Sequence, residues 1–155
     1  MHNKNFAFLS QRLEATGFGL SLHELLRTKI HHLLPAFVLP HLACFGRDEL
    51  AVILFVKKWK EADMYYFHKY HAVLWCQDTG EVRSRDFHFS HTDPEITLPE
   101  AYDLLKGRAV FREKWSHREK VTYRAWLQLD FARTDSCGNF QWHTYNENPM
   151  QMAHV

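Results

Sequence analysis

Apolar positions recur at helical spacing in the first third of the chain. Phe6, Leu9 and Leu13 fall one turn apart, and Gly17 and Gly19 then break the pattern. Ser21-Leu22-His23-Glu24 has the form of a capping box, in which the serine caps the first turn and the glutamate reaches back to the serine amide. Behind it Leu22, Leu25, Leu26, Ile30 and Leu33 form one apolar stripe that predicts a second helix, stopped before Pro35.

After Pro35 the period changes to two. Segments 37–45 and 49–59 predict strands joined at Gly46-Arg47 by a type II′ hairpin turn. Ala51 to Val56 is apolar on both faces, which predicts a central strand covered on both sides. A second hairpin pairs 64–77 with 82–90 through Asp78-Thr79-Gly80-Glu81. Thr97 and Glu100 form another capping box with Pro99 in the first turn, and Gly107 closes that short helix. Val121, Tyr123, Ala125, Leu127, Leu129 and Phe131 then alternate with Thr122, Arg124, Trp126, Gln128 and Asp130, the pattern of a half-exposed antiparallel strand. A turn over 135–139 leads into a last strand over 140–145, and 146–155 reads as a flexible tail. The expected fold is α+β: a mainly antiparallel sheet of hairpins, two N-terminal helices and one short helix inserted before the last strands. One domain is expected over 1–155, with its ordered core at 3–145.

Composition narrows this little. At 155 residues, 46% hydrophobic and 24% charged, the chain has ordinary globular usage and enough length for a core. A net charge of +1 gives no global footprint for nucleic acid or an anionic membrane. The longest apolar run, 50–56, is far too short to span a bilayer. Cys44, Cys76 and Cys137 are odd in number and lack CxxC spacing, and the N-terminus leads into an amphipathic stretch, so a reducing cytoplasm is the expected compartment. Cys44 and Cys76 lie in apolar strands and read as inert buried thiols, whereas Cys137 sits in a turn.

Histidine is abundant, with 12 copies, and His68/His71 and His88/His91 both have HxxH spacing, the latter followed by Asp93. On a helix such pairs share a face and can bind a metal together. On a strand, residues three apart point to opposite faces, so structural histidines are the expected reading and no metal is assigned. His23, His31 and His32 flank the helical stripe and are expected to face solvent. Nucleotide-binding, hydrolase and metalloprotease motifs are absent from the sequence, and Asp78, Asp86, Asp93 and Glu95 have no spacing that marks a catalytic pair. No catalytic residue and no cofactor are assigned.

Charge is concentrated in one place. Lys106, Arg108, Arg112, Lys114, Arg118, Lys120 and Arg124 are opposed within 106–124 by Glu113 and Glu119, with Trp115 and Tyr123 interleaved. Cations that track phosphates beside rings that stack on bases are what a single-stranded nucleic acid needs. The alternative is a solvated edge whose charges keep a strand from pairing with another chain, and the near-neutral total charge weighs toward it. Under the binding reading Arg112, Lys114, Arg118 and Lys120 meet phosphates, Trp115 offers a stacking face, and Arg124 is a further candidate nucleic-acid or partner contact. Trp126 falls on the polar face of its strand, where it either stacks a base, anchors a protein partner, or is covered by a helix or the C-terminal segment.

Several phrases carry a resemblance: Asn3-Lys4-Asn5-Phe6 with Thr16-Gly17-Phe18-Gly19, Asp63-Met64-Tyr65-Tyr66-Phe67, Thr97-Leu98-Pro99-Glu100-Ala101-Tyr102 through Gly107-Arg108-Ala109-Val110, Ala125-Trp126-Leu127-Gln128-Leu129-Asp130-Phe131 and Gly138-Asn139-Phe140. Over most of 3–145 the chain resembles a family of uncharacterised proteins of Bacteroides-type bacteria, often encoded in conjugative or other mobile elements. That family brings no activity and no catalytic residues to transfer. The chain departs from it by placing histidine, tryptophan and leucine at many lysine, glutamate and asparagine positions, and by a short tail that resembles a truncated version. The absence of a chemical signature leads to the expectation of a non-enzymatic accessory or binding module, acting through a protein partner or single-stranded nucleic acid and not through a membrane, and the resemblance implies its mobile-element setting. The alternative is a small histidine- or metal-dependent enzyme, which requires His68, His71, His88 and His91 to converge.

Overall fold

The alternation along 36–88 closes into a meander. The computed structural model describes residues 2–89, 95–116 and 120–146; the side chains of 2, 3, 114–116, 121–123 and 146 fall outside that description. The expected flexible tail thus lies outside the described residues from 147 onward. The architecture is α+β with two antiparallel sheets, and the chain divides into two compact units, Met1–Tyr102 and Asp103–Val155.

The first unit opens with α1 (His2–Thr16) and α2 (His23–His31). Asn5, Leu9, Leu13 and Thr16 form the buried stripe of α1. The helix ends in a Schellman motif: the Phe18 amide donates to the Leu13 carbonyl at 2.9 Å, the Gly17 amide donates to Glu14 at 3.1 Å, and Gly17 takes φ +103°. The capping box expected at Ser21 does not form. Leu22 occupies the N-cap position in a helical conformation without a side-chain cap, and Ser21 Oγ donates instead to the Phe18 carbonyl at 3.3 Å. The helix starts one residue later than the box requires, which leaves Ser21 outside the N-cap position. Leu22, Leu26 and Ile30 are buried as expected, but Leu33 lies outside the stripe, exposed and at φ +56°.

Strands β1 (Ala36–Phe45), β2 (Asp48–Lys58), β3 (Tyr65–Trp75) and β4 (Val82–His88) follow in the order β1-β2-β3-β4, all antiparallel. Of the two central residues of the first hairpin, Gly46 alone has positive φ, which fits the type II′ geometry. Leu50, Val52, Leu54 and Val56 of β2 and Tyr65, Phe67, Tyr70, Ala72 and Leu74 of β3 are buried on one face. α1 packs on β3 and α2 on β1. Each fully buried leucine contributes about 1.5–3 kcal/mol through the apolar area it removes from water. A polar clamp fixes α1 to the start of β3: Asn5 Nδ2 donates to the Tyr65 carbonyl at 3.0 Å, and Asn5 Oδ1 accepts from the Tyr65 amide at 2.8 Å. Buried Tyr70 donates its hydroxyl to the Ile96 carbonyl at 2.5 Å, tying β3 to the segment before α3 (Leu98–Leu105). Burial pushes the Tyr70 hydroxyl well above its ordinary pKa, with Glu100 and Glu95 adding to the effect.

The second face of β2 departs from expectation. Ala51 is exposed and Ile53 and Phe55 are half-buried, so the central strand is covered fully on one side only. Val38, Leu42, Trp75 and Val82 are likewise exposed. On this face Ala51, Ile53 and Phe55 stand in cross-strand rows with Leu42, Pro40 and Val38 of β1 and with Val73, His71 and Lys69 of β3.

Thr97 and Glu100 do cap α3: the Thr97 amide donates to Glu100 Oε1 at 2.9 Å and the Glu100 amide to Thr97 Oγ1 at 3.4 Å. In the second unit α3 ends on another Schellman motif, with Gly107 at φ +94° and the Arg108 amide donating to the Asp103 carbonyl at 2.9 Å. A Cβ at Gly107 would stand 3.3 Å from the Phe131 ring. Strands β5 (Val110–Ser116), β6 (Val121–Thr134) and β7 (Phe140–Asn146) form an antiparallel sheet in chain order. Val110, Ala125, Leu127 and Leu129 are buried on one face, as the alternation of β6 requires. Asp135 organises the β6–β7 turn by accepting from the amides of Cys137 at 2.9 Å and Asn139 at 3.0 Å. Among the described residues, no helix is long and apolar enough to cross a membrane.

Candidate nucleic-acid interface

With Ala125, Leu127 and Leu129 turned inward, Arg124 and Trp126 must project from the opposite face of β6. Register then decides their company. Trp126 pairs with Phe111 of β5 on one side and with Tyr145 of β7 on the other, so three aromatic residues cross the sheet in one row. All three are solvent-exposed: Phe111 by 38%, Trp126 by 42% and Tyr145 by 48%. The Phe111 and Trp126 rings are 5.2 Å apart at 51°. His143, next along β7 on the same face and opposite Gln128, stacks on Tyr145 at 4.3 Å and 14°.

Arg124 stands beside this row. Its guanidinium carbon lies 5.9 Å from the Phe111 ring centre, and its Nε lies 3.6 Å from Glu113 Oε1, its cross-strand partner. Both charged side chains are mostly exposed, so the pair is solvated and its partners are exchangeable. The face thus offers a strip of π surface, a cation held over one end, and one carboxylate competing for that cation.

The basic strip read from sequence divides. Arg124 and Trp126 come together on the ring face. Arg112 pairs with Ala125, which places it half-buried on the other face. Arg108 forms an ion pair with Asp103 at 2.9 Å. Lys120 is exposed in the β5–β6 turn at φ +55°. Lys114 and Trp115 belong to β5, opposite Tyr123 and Thr122, with side chains outside the described set; Arg118 and Glu119 lie outside the described residues altogether. Trp126 keeps much of its outer surface open to solvent beside the Phe111 ring. Phe111, His143 and Tyr145 were not singled out by the sequence reading. The signal that finds them is hairpin register: once Trp126 is assigned to the outer face, its cross-strand partners follow.

The histidines also depart from expectation. A β-bulge at Phe55/Val56 leaves His68 as an extra residue in β3, so the buried alternation jumps from Phe67 to Tyr70. The rule placing His68 and His71 on opposite faces therefore fails, since the bulge resets the alternation between them. His68 lies 5.8 Å from His88, ring centre to ring centre, while His71 Nδ1 lies 2.7 Å from Asp86 Oδ1. Lys69 Nζ also contacts Asp86, at 3.3 Å. Burial pushes the Asp86 carboxyl upward, but the His71 hydrogen bond and Lys69 outweigh it and leave the pKa below its ordinary value. His91 and Asp93 lie outside the described residues. Among the described residues no group of three histidine, cysteine or acidic side chains is arranged to hold a metal ion.

Two further expectations are corrected. His23 does not face solvent: it is half-buried against Phe6, and its Nε2 is buried without a partner. Cys44 is exposed, because its position opposite Glu49 in β1 belongs to the uncovered face; Cys76 is buried and Cys137 exposed. Comparison with known protein families, with characterised proteins and with solved structures finds no match.

Proposed function

We propose that the chain is a non-enzymatic binding module that takes single-stranded nucleic acid across the β5–β7 face. The observation that carries this reading is the row Phe111–Trp126–Tyr145, three exposed rings in register on adjacent strands. At the usual strand spacing the row spans about 10 Å, enough for two or three bases. Stacking is tolerant of sequence because every base has a π face, and antiparallel sheets with surface aromatics bind single strands in this way. Arg124 supplies a phosphate contact beside the rings, and Lys120 is exposed in the turn that feeds the same strand. The segment 106–124 carries seven basic and two acidic residues, and Arg124 and Lys120 are its exposed cations among the described side chains apart from Arg108, which pairs with Asp103. The resemblance to the Bacteroides-type family adds an accessory role in a mobile element, and the unpaired cysteine count a cytoplasmic setting.

The test is fluorescence anisotropy with labelled single-stranded DNA, single-stranded RNA and duplex DNA at low and moderate salt. Single strands should bind in preference to duplex, with little dependence on base order. Trp126→Ala should weaken binding by roughly 5- to 100-fold, the usual worth of one base–aromatic stack. Trp126→Phe should retain most of the affinity. Absence of single-strand binding by the native chain at low salt, or binding indifferent to Trp126→Ala, would overturn the proposal.

A further inference from the structure

A second supported ring lies in the first unit, where β2 runs into the 59–64 connection. The Trp59 amide donates to the Met64 carbonyl at 2.9 Å, which closes the connection and fixes the residue at the mouth of β3. The indole then rests on Tyr66, with ring centres 4.5 Å apart at 35°, yet remains 56% exposed. It forms one wall of a cleft of about 590 Å³, with Pro35, Lys57, Lys60, Glu61 and Tyr66 among the lining residues. That volume falls within the range of small-ligand sites.

The charges of this cleft are not balanced. Lys58 Nζ is held by Asp63 Oδ1 at 2.7 Å, so that acid is already committed. Lys57 and Lys60 form no ion pair among the described residues, which leaves them against Glu61 alone. Beyond the cleft His68 is held neutral more strongly than usual, chiefly by burial and then by Lys57, His88 and Lys69, with Asp86 opposing. A broad ring face with two uncommitted ammonium groups matches a ligand that is planar at one end and anionic at the other.

We propose that the Trp59–Tyr66 cleft binds a nucleotide, the base stacking on Trp59 and the phosphate meeting Lys57 and Lys60. Tyr66 acts as the support that holds the indole in place, so little side-chain freedom remains to be lost on binding. The site is independent of the β5–β7 face and does not rest on it. The same chemistry is offered by a free nucleotide or by one nucleotide of a single strand.

Calorimetric titration of the full chain with AMP, adenosine and inorganic phosphate tests the assignment. AMP should bind saturably, more tightly than adenosine or phosphate. Trp59→Ala, and separately the double change Lys57→Glu with Lys60→Glu, should each weaken AMP by roughly tenfold or more. Trp59→Phe, which keeps a ring, should recover most of the loss, and Trp126→Ala should leave AMP affinity unchanged, separating this cleft from the sheet face. A short oligodeoxyadenylate that displaces AMP and binds more tightly through Trp59 identifies the source as a strand; AMP binding that it cannot displace identifies a free nucleotide. If neither AMP nor the oligonucleotide binds in a Trp59-dependent manner, with thermal melting showing the variants folded, the proposal is wrong.

Discussion

Replacing Glu113 by glutamine probes the electrostatics of the ring face without touching a ring. Glu113 Oε1 is 3.6 Å from Arg124 Nε, and the two side chains are about 60% exposed. An exposed pair of this kind is worth at most about 1 kcal/mol to folding, so the variant should melt close to the native chain. Its effect on binding has the opposite sign. A phosphate bound on the far side of the guanidinium would sit roughly 7 Å from the Glu113 carboxylate, where two like charges in water repel by about 0.6 kcal/mol. Screening at physiological salt removes about half of that, since the Debye length there is about 8 Å. Glu113→Gln should therefore raise single-strand affinity roughly two- to threefold at low salt and less than twofold at physiological salt. Anisotropy titrations of native and variant chains at both ionic strengths measure this directly. An unchanged or reduced affinity, in a chain whose binding still depends on Trp126, would show that phosphate does not approach Arg124.

Two further outcomes concern stability. Leu127→Ala should cost about 2–5 kcal/mol by leaving a core cavity, and Gln128→Ala only about 1 kcal/mol through loss of the hydrogen bond that Gln128 Nε2 donates to the Gly107 carbonyl at 2.8 Å; equal urea midpoints at equal slopes would refute the face assignment of β6. Asp86→Asn should destabilise the chain at neutral pH but not in strong acid: the folded pKa lies below the unfolded value of 3.8, so the stabilisation is complete above that value and is lost as pH falls through the folded one. Urea melts of both chains across that range should show the gap closing, and a gap undiminished at the acid end would assign it to packing instead of charge.

Elements with local signals were legible in the sequence, and those that depend on partners were not. Thr97 caps α3 as its spacing predicts: its Oγ1 accepts from the Glu100 amide while its hydroxyl donates to Glu100 Oε1 at 3.0 Å. Ser21 carries the same signal and does not cap, because Leu22 holds the N-cap position of α2 and leaves Ser21 one residue before it. The alternation of β6 identified Leu127 as core and Trp126 as outward, a local matter of period two. It could not name Phe111 or Tyr145, since those pairings depend on the registers of two hairpins. The bulge at His68 was invisible for a related reason: one inserted residue resets every face assignment beyond it, and nothing in the composition of 65–75 marks the place. Cys44 was misread because apolar alternation tells which residues share a face, not whether that face is covered.

Exposure alone would have selected a different surface. Trp75 is 58% exposed, more than Trp59 at 56% or Trp126 at 42%, and its cross-strand neighbours are Glu49 and Val82. No ring supports it among the described residues. A ligand that stacked on Trp75 would have to hold an indole that no described ring supports, at a cost of about 0.5–1.5 kcal/mol for an immobilised side chain against the stacking gain. Trp126 and Trp59 lean on Phe111 and Tyr66, so folding has already met part of that cost. Each also has cations at hand: Arg124 beside the Phe111–Trp126 pair, Lys57 and Lys60 around Trp59. The lower exposure of Trp126 is thus the mark of a ring held in position by a neighbour, and it is the held rings with adjacent cations that can take bases and phosphates together.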